Sequence, residues 1–326
     1  MKAIKFFAIT AMAAAMITSC STDDELSQSN YPSDNIIRVT AGVNNAKTRA
    51  EGQGTEMDKD FSLTIVNKNA PKYTYTDKVF SKKSGDWACS ETLLWQKSDA
   101  LVDIVAFAPA QTGKFNGVYA DGSIQPITYS VADDQSTKSD NNDLLYYYAK
   151  DFNPGTSLDK GKLNIQFNHA FCMIDINVTL GTEFNKPSIP TTSPIIKVTL
   201  GGTKIAANVN VTNAASVVTA SGEATATDIT TTNGSFTTAA DPEKNAISRF
   251  SCIAIPQTVG ANTFKVSLMT AGKRYEWTSA EPVELKSGYR YTLKLSMGND
   301  VVLLKGGGIT ATPWTEITSD KPLETD

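Results

Sequence analysis

The chain has 326 residues, 40% hydrophobic and 20% charged, and its 30 basic and 34 acidic side chains give a formal charge of −4. An acidic balance carries no electrostatic footprint for nucleic acid, so that class of partner is excluded. The length exceeds what a single hydrophobic core usually serves and predicts two domains.

Residues 1–19 read as a lipoprotein signal peptide and are set aside from the fold. Lys2 and Lys5 form a positive start, Ile4 to Ile17 an apolar stretch, and Ile17-Thr18-Ser19-Cys20 a small-residue cleavage site ending in cysteine. Cleavage before Cys20, whose thiol would carry a diacylglycerol, would free its amine for a third acyl chain, and each buried methylene of an acyl chain contributes ~0.8 kcal/mol of membrane affinity. No later stretch reaches the ~20 apolar residues of a membrane helix, so the lipid is the expected anchor. Residues 20–49 follow as a polar tether, STDDELSQSNYPSDN, and a first strand. The acidic Asp23-Asp24-Glu25 resembles the signal that directs some lipoproteins to the outer face of the outer membrane.

From Ile36 onward, short runs of β-branched and aromatic residues alternate with Gly, Pro, Asn and Asp clusters, which predicts an all-β fold. Expected strands are Ile36–Val43, Phe61–Val66, Lys72–Phe80, Trp87–Trp95, Leu101–Phe107, Ile124–Tyr129 and Leu144–Ala149. After the turn-like Phe152-Asn153-Pro154-Gly155, a second set runs from Leu163–Phe167 and Phe171–Leu180 to Tyr289–Ser296 and Ile309–Trp314. Period-2 stripes are plain at Ile37/Val39/Ala41/Val43, Leu163/Ile165/Phe167 and Ile174/Ile176/Val178. The expected domains are therefore β-sandwiches over 50–155 and 156–326. The Ala/Ser/Thr-rich run Ala214–Ala240 reads as a solvated hairpin, too poor in large apolar residues to line a core.

Nothing in the sequence has the spacing of a catalytic or metal site, and neither a metal nor a cofactor is expected. The single histidine, His169, stands between two stripes and reads as a hydrogen-bonded structural residue. Gly306-Gly307-Gly308 precedes a strand, where it makes a bend and not a phosphate loop. Asp99, Asp103 and Asp175 are the carboxylates that a glycosidase would pair in space. Tyr146-Tyr147-Tyr148, Trp87 and Trp95 are aromatics that could face sugars or fill a core. Cys89, Cys172 and Cys252 read best as small buried apolar residues, with one disulfide plus a free thiol as the alternative.

The ordered set IIRVTAGV, KTRA, LLWQ with VAFAP, DLLYYYA, LNIQFNHAFCMIDINVTL, SGYRYTLKLSM and ITATPW, together with Cys20, resembles the fimbrillin family. These are type V pilins and fimbrial accessory subunits of Gram-negative anaerobes. The resemblance implies two transthyretin-like sandwich domains, lipid-anchored export and maturation by an arginine-specific protease. The matching bond is Arg49–Ala50, so its cleavage would release Cys20 to Arg49 with the strand carrying Ile37, Val39, Ala41 and Val43. The vacated groove would take a strand from another subunit, with this chain's own donor expected within Val301–Asp326. Implied partners are other fimbrial subunits, in a homo- or hetero-polymer, the outer membrane before maturation, the protease, and a host or bacterial surface ligand. The alternative is a glycan-binding lipoprotein that stays on the cell surface. With Cys20 as the expected anchor, Cys20→Ala should move the full-length protein from the detergent phase to the aqueous phase on partitioning.

Overall fold

The computed structural model describes residues 30–44, 55–57, 59–110, 123–137, 142–305 and 308–314. It is an all-β molecule with 51% strand and 5% helix. Among the described residues the one α-helix is a single turn, α1 (Pro154–Ser157), capped by Asn153, whose Oδ1 accepts from the Gly155 N–H at 2.9 Å.

One eight-stranded sheet organises the first half. Its strands are β1 (Val39–Val43), β2 (Thr55–Glu56), β3 (Phe61–Val66), β4 (Tyr75–Lys83), β5 (Asp86–Cys89), β6 (Val102–Ala108), β8 (Leu145–Phe152) and β9 (Leu163–His169), with β7 (Ile127–Ser130) lying elsewhere. Their order is β2-β1-β9-β8-β6-β3-β4-β5. The sheet curls until β5 lies against β1, which encloses a core around Phe61. That ring stacks on Phe80 at 5.4 Å and meets Trp87 and Phe167 edge-on at 4.9 and 5.5 Å.

The second half contributes β10 (Cys172–Leu180), β11 (Ile195–Gly201), β12 (Ala206–Val209), β13 (Val218–Ala220), β14 (Ile229–Thr230), β15 (Thr232–Thr237) and β16 (Ile247–Ala254). It continues with β17 (Gln257–Val259), β18 (Lys265–Thr270), β19 (Arg274–Thr278), β20 (Val283–Leu285), β21 (Tyr289–Met297), β22 (Val302–Leu304) and β23 (Thr310–Pro313). A path β15-β16-β10-β21-β22, with β23 also on β21, and a sheet β14-β11-β18-β19 are the two larger layers. Burial alternates residue by residue along β10 and β16, as a sheet with one face on a core requires.

Strands β3 and β6 do not alternate; every residue in them is buried. Phe61, Leu63 and Ile65 belong to the first core, while Val66, Val105 and Phe107 belong to the second, so this part of the sheet is covered on both faces. The chain crosses the expected division at residue 155 in both directions. Leu163, Ile165 and Phe167 of β9 complete the first core. Ile124, Ile127, Tyr129 and Val131 join the second, where β7 pairs with β12.

The Thr-rich run differs from the solvated hairpin expected of it. Short strands β13, β14 and β15 each pair with a different neighbour, and Val218, Ile229 and Ala239 reach the second core. A few well-spaced small apolar residues suffice because backbone pairing supplies the rest. Trp87–Trp95 is likewise a strand only to Cys89; Leu93 and Trp95 are buried beyond it in an irregular segment.

No two cysteines are bonded among Cys89, Cys172 and Cys252. Burial in the second core pushes the thiols of Cys172 and Cys252 far up, while Cys89 is only half-buried. Because the thiolate is the reactive form, a maleimide should label Cys89 in the native protein at least about tenfold faster than Cys172 or Cys252, as read by peptide mass spectrometry.

Candidate functional site

Strand β1 is not an edge. Along one side it runs parallel to β9, from Val39↔Leu163 to Val43↔Phe167. On the other side Gly42 and Val43 pair with β2, and the residues before it are held by the segment 93–95. There Ile37 N–H donates to Leu93 O at 2.9 Å, and Trp95 N–H donates to Asn35 O at 2.8 Å. The ladder to β9 is extended at both ends, by Leu163 N–H to Arg38 O at 2.8 Å and Asn44 N–H to Phe167 O at 2.7 Å.

The stripe Ile37, Val39 and Val43 is 6%, 4% and 3% exposed, and Ala41 is half-buried beside them in the same core. Three such aliphatic side chains represent about 5–9 kcal/mol of gross burial at roughly 1.5–3 kcal/mol each. Polar contacts add register: the Asn44 side-chain amide donates to Asn168 Oδ1 at 2.9 Å, and Thr40 Oγ1 donates to Asn164 Oδ1 at 3.3 Å. Arg38 and Asp34 form a two-pronged ion pair at 3.0 and 2.6 Å, which with the Ile36 N–H holds the Asp34 carboxyl down at about 2. That pair is exposed and contributes little to holding the strand.

Cys20, Arg49 and Ala50 lie outside the described residues. The described chain stops at Asn44 and resumes at Thr55, so the expected cleavage bond falls in the connection between β1 and β2.

The candidate carboxylates each meet a different cation. Asp99 pairs with Lys97 at 3.0 Å, Asp103 with Lys68 at 2.9 Å, and Asp175 with Arg290 across the β10–β21 pair. Asp103 also accepts the Asp151 N–H at 2.9 Å. Trp95 is buried, stacked near Phe152 at 6.1 Å, and Trp87 packs edge-on against Phe61. The tyrosines of β8 divide between the cores, Tyr147 against the first and Tyr146 and Tyr148 against the second. These aromatics are therefore core material. A cleft of about 540 Å³ that places Trp277 near Glu281 and Glu284 had no signal in the sequence. Among the described residues, no three His, Cys, Asp or Glu side chains are grouped to hold a metal.

His169 is 4% exposed, with Nδ1 3.0 Å from Asp143 Oδ1 and Trp314 stacked on its ring. Sequence reading gave neither partner, since both contacts are long-range.

The fold is an all-β one in which β1 is paired on both sides and inserts an apolar stripe into the first core. A family model described as fimbrillin-like matches residues 48–314, and the chain belongs to that family. Its members are fimbrial and adhesion proteins and not enzymes. The fold is similar to that of a Bacteroides ovatus protein described as a cell adhesion protein, at 16% identity and a TM-score of 0.60, covering 87% of this chain and 99% of that one. It is also similar to a fimbrial protein from Bacteroides vulgatus, at 16% identity and a TM-score of 0.54, covering 86% and 99%. No curated protein matches the sequence.

Truncation within the β1 stripe should loosen the first core, whereas the exposed face should not matter. Val39→Ala should lower stability by about 2 kcal/mol, and Thr40→Ala should stay within ~0.5 kcal/mol, both read from denaturant midpoints.

Proposed function

We propose that the chain is a subunit of a cell-surface fimbria, exported as an outer-membrane lipoprotein on Cys20 and matured by cleavage between Arg49 and Ala50. The cut frees β1 from its covalent tether, and a strand of another subunit then takes its place beside β9. The observation that carries this reading is the seating of β1: it is paired on both sides and inserts an apolar stripe, so its loss leaves a groove with two open ladders. Open ladders next to vacant apolar pockets are what an added strand recognises. A second observation agrees with it. The family match begins at residue 48, one residue before the proposed cleavage site, so β1 precedes the matched region.

Before cleavage, β1 competes at the high effective concentration of a tethered segment, and a free strand cannot displace it readily. After cleavage that advantage ends. Within the expected donor region, Val302–Leu304 and Thr310–Pro313 are engaged with β21, so donation from there requires them to detach first.

An arginine-specific protease acting on purified full-length protein should cut once, after Arg49, and the product should form ladders on non-boiled gels or exchange β1 for an added donor peptide. Arg49→Ala protein should do neither. A cleaved chain that stays monomeric and exchanges no donor peptide would overturn the reading.

A further inference from the structure

The last described strand has little side-chain support of its own. β23 pairs with β21 from Tyr289↔Pro313 to Thr292↔Thr310, yet all four of its residues are exposed. Ile309, just before it, is half-buried against the second core. After Val302, the one buried residue among those described is Trp314. Its N–H donates to Gly288 O at 2.7 Å, and its indole lies on the His169 ring with centroids 3.8 Å apart and planes 11° from parallel. A four-residue strand with exposed side chains is marginal by itself, so this stack decides whether it stays.

The surface under the indole is built for the purpose. His169 ends β9, and its carbonyl accepts from Ser287 Oγ at 3.1 Å. Its Nδ1 is tied to Asp143 Oδ1, which fixes the ring plane, and Lys59 Nζ stands 4.0 Å from the other Asp143 oxygen. Nε2 is enclosed and has no hydrogen-bond partner among the described residues. A ring held at one edge and enclosed at the other offers Trp314 only its face.

We infer that Trp314 and His169 form a latch that retains Gly308–Trp314 on its own sheet. Releasing it uncovers the Tyr289–Thr292 edge of β21. The inference rests on the fimbrial reading only for its use in assembly, because the latch is a property of the uncleaved monomer.

Hydrogen exchange read by mass spectrometry on full-length protein tests it. Trp314→Ala should speed exchange of the Thr310 and Thr312 amides, the two that face β21, by about tenfold, with β9 and β10 unchanged. His169→Gln keeps a hydrogen bond to Asp143 but removes the ring, and should loosen β23 likewise. Trp314→Phe, which can still stack, should stay within about threefold of the parent. Unchanged β23 exchange in both Trp314→Ala and His169→Gln would overturn the latch, and so would uniform acceleration across both cores. Failure of Arg49 cleavage would leave all of these results standing, and their failure would leave the Arg49 reading untouched.

Discussion

Strand β1 sits between walls that run in opposite directions, parallel to β9 on one side and antiparallel to β2 on the other, with its apolar stripe closing the first core. The first sheet depends on this seating. It lets β5 curl back against β1, covers Phe61 and its aromatic neighbours, and continues the pairing of β9 beyond its short contact with β8. Any account of what the molecule does must therefore explain what occupies this slot.

Under the proposed exchange, the two walls would also constrain an incoming strand. A strand laid in either direction would be parallel to one wall and antiparallel to the other, so the ladders alone set no polarity. Parallel and antiparallel pairs differ only slightly in stability per residue. Discrimination then falls to side chains. The pockets of Ile37, Val39 and Val43, the smaller space at Ala41, and the amides of Asn164 and Asn168 are spaced asymmetrically along the groove. A one-residue slip would turn the whole stripe outward, which makes register as strict as direction.

The stripe of β1 was legible because its alternation is local, and so were β9, β10 and β21. Strands β3 and β6 were found as strands, but their burial on both faces was not, because Ser62 and Thr64 look solvent-facing until the second core covers them. The pairing of β7 with β12, and of β1 with β9, joins residues far apart in sequence, and alternation carries no information about which stripe meets which. The candidate strand was likewise readable, from motif and stripe together, whereas its second wall at Leu93–Trp95 was not. There the expected long strand Trp87–Trp95 ends early, and an irregular segment does the pairing. His169 and Trp314 each looked unremarkable alone; only the fold stacks them.

Strand β9 links the slot to the latch, since it forms the β1 wall through Leu163–Phe167 and ends in His169. Emptying the slot would remove five paired positions and leave β9 with only two, to Leu145 and Tyr146 of β8. Lost ladder bonds are worth about 0.5–1.5 kcal/mol each in net terms. Against that, Leu163, Ile165 and Phe167 are fully buried, each contributing roughly 1.5–3 kcal/mol that does not depend on β1's backbone. Emptying the slot would also uncover part of these side chains, since the β1 stripe lies beside them, and only the burial they share with the rest of the first core would be kept. Under the proposed exchange, that remaining burial would hold β9 in place while its backbone edge opens, keeping the groove's shape for another strand and His169 under Trp314.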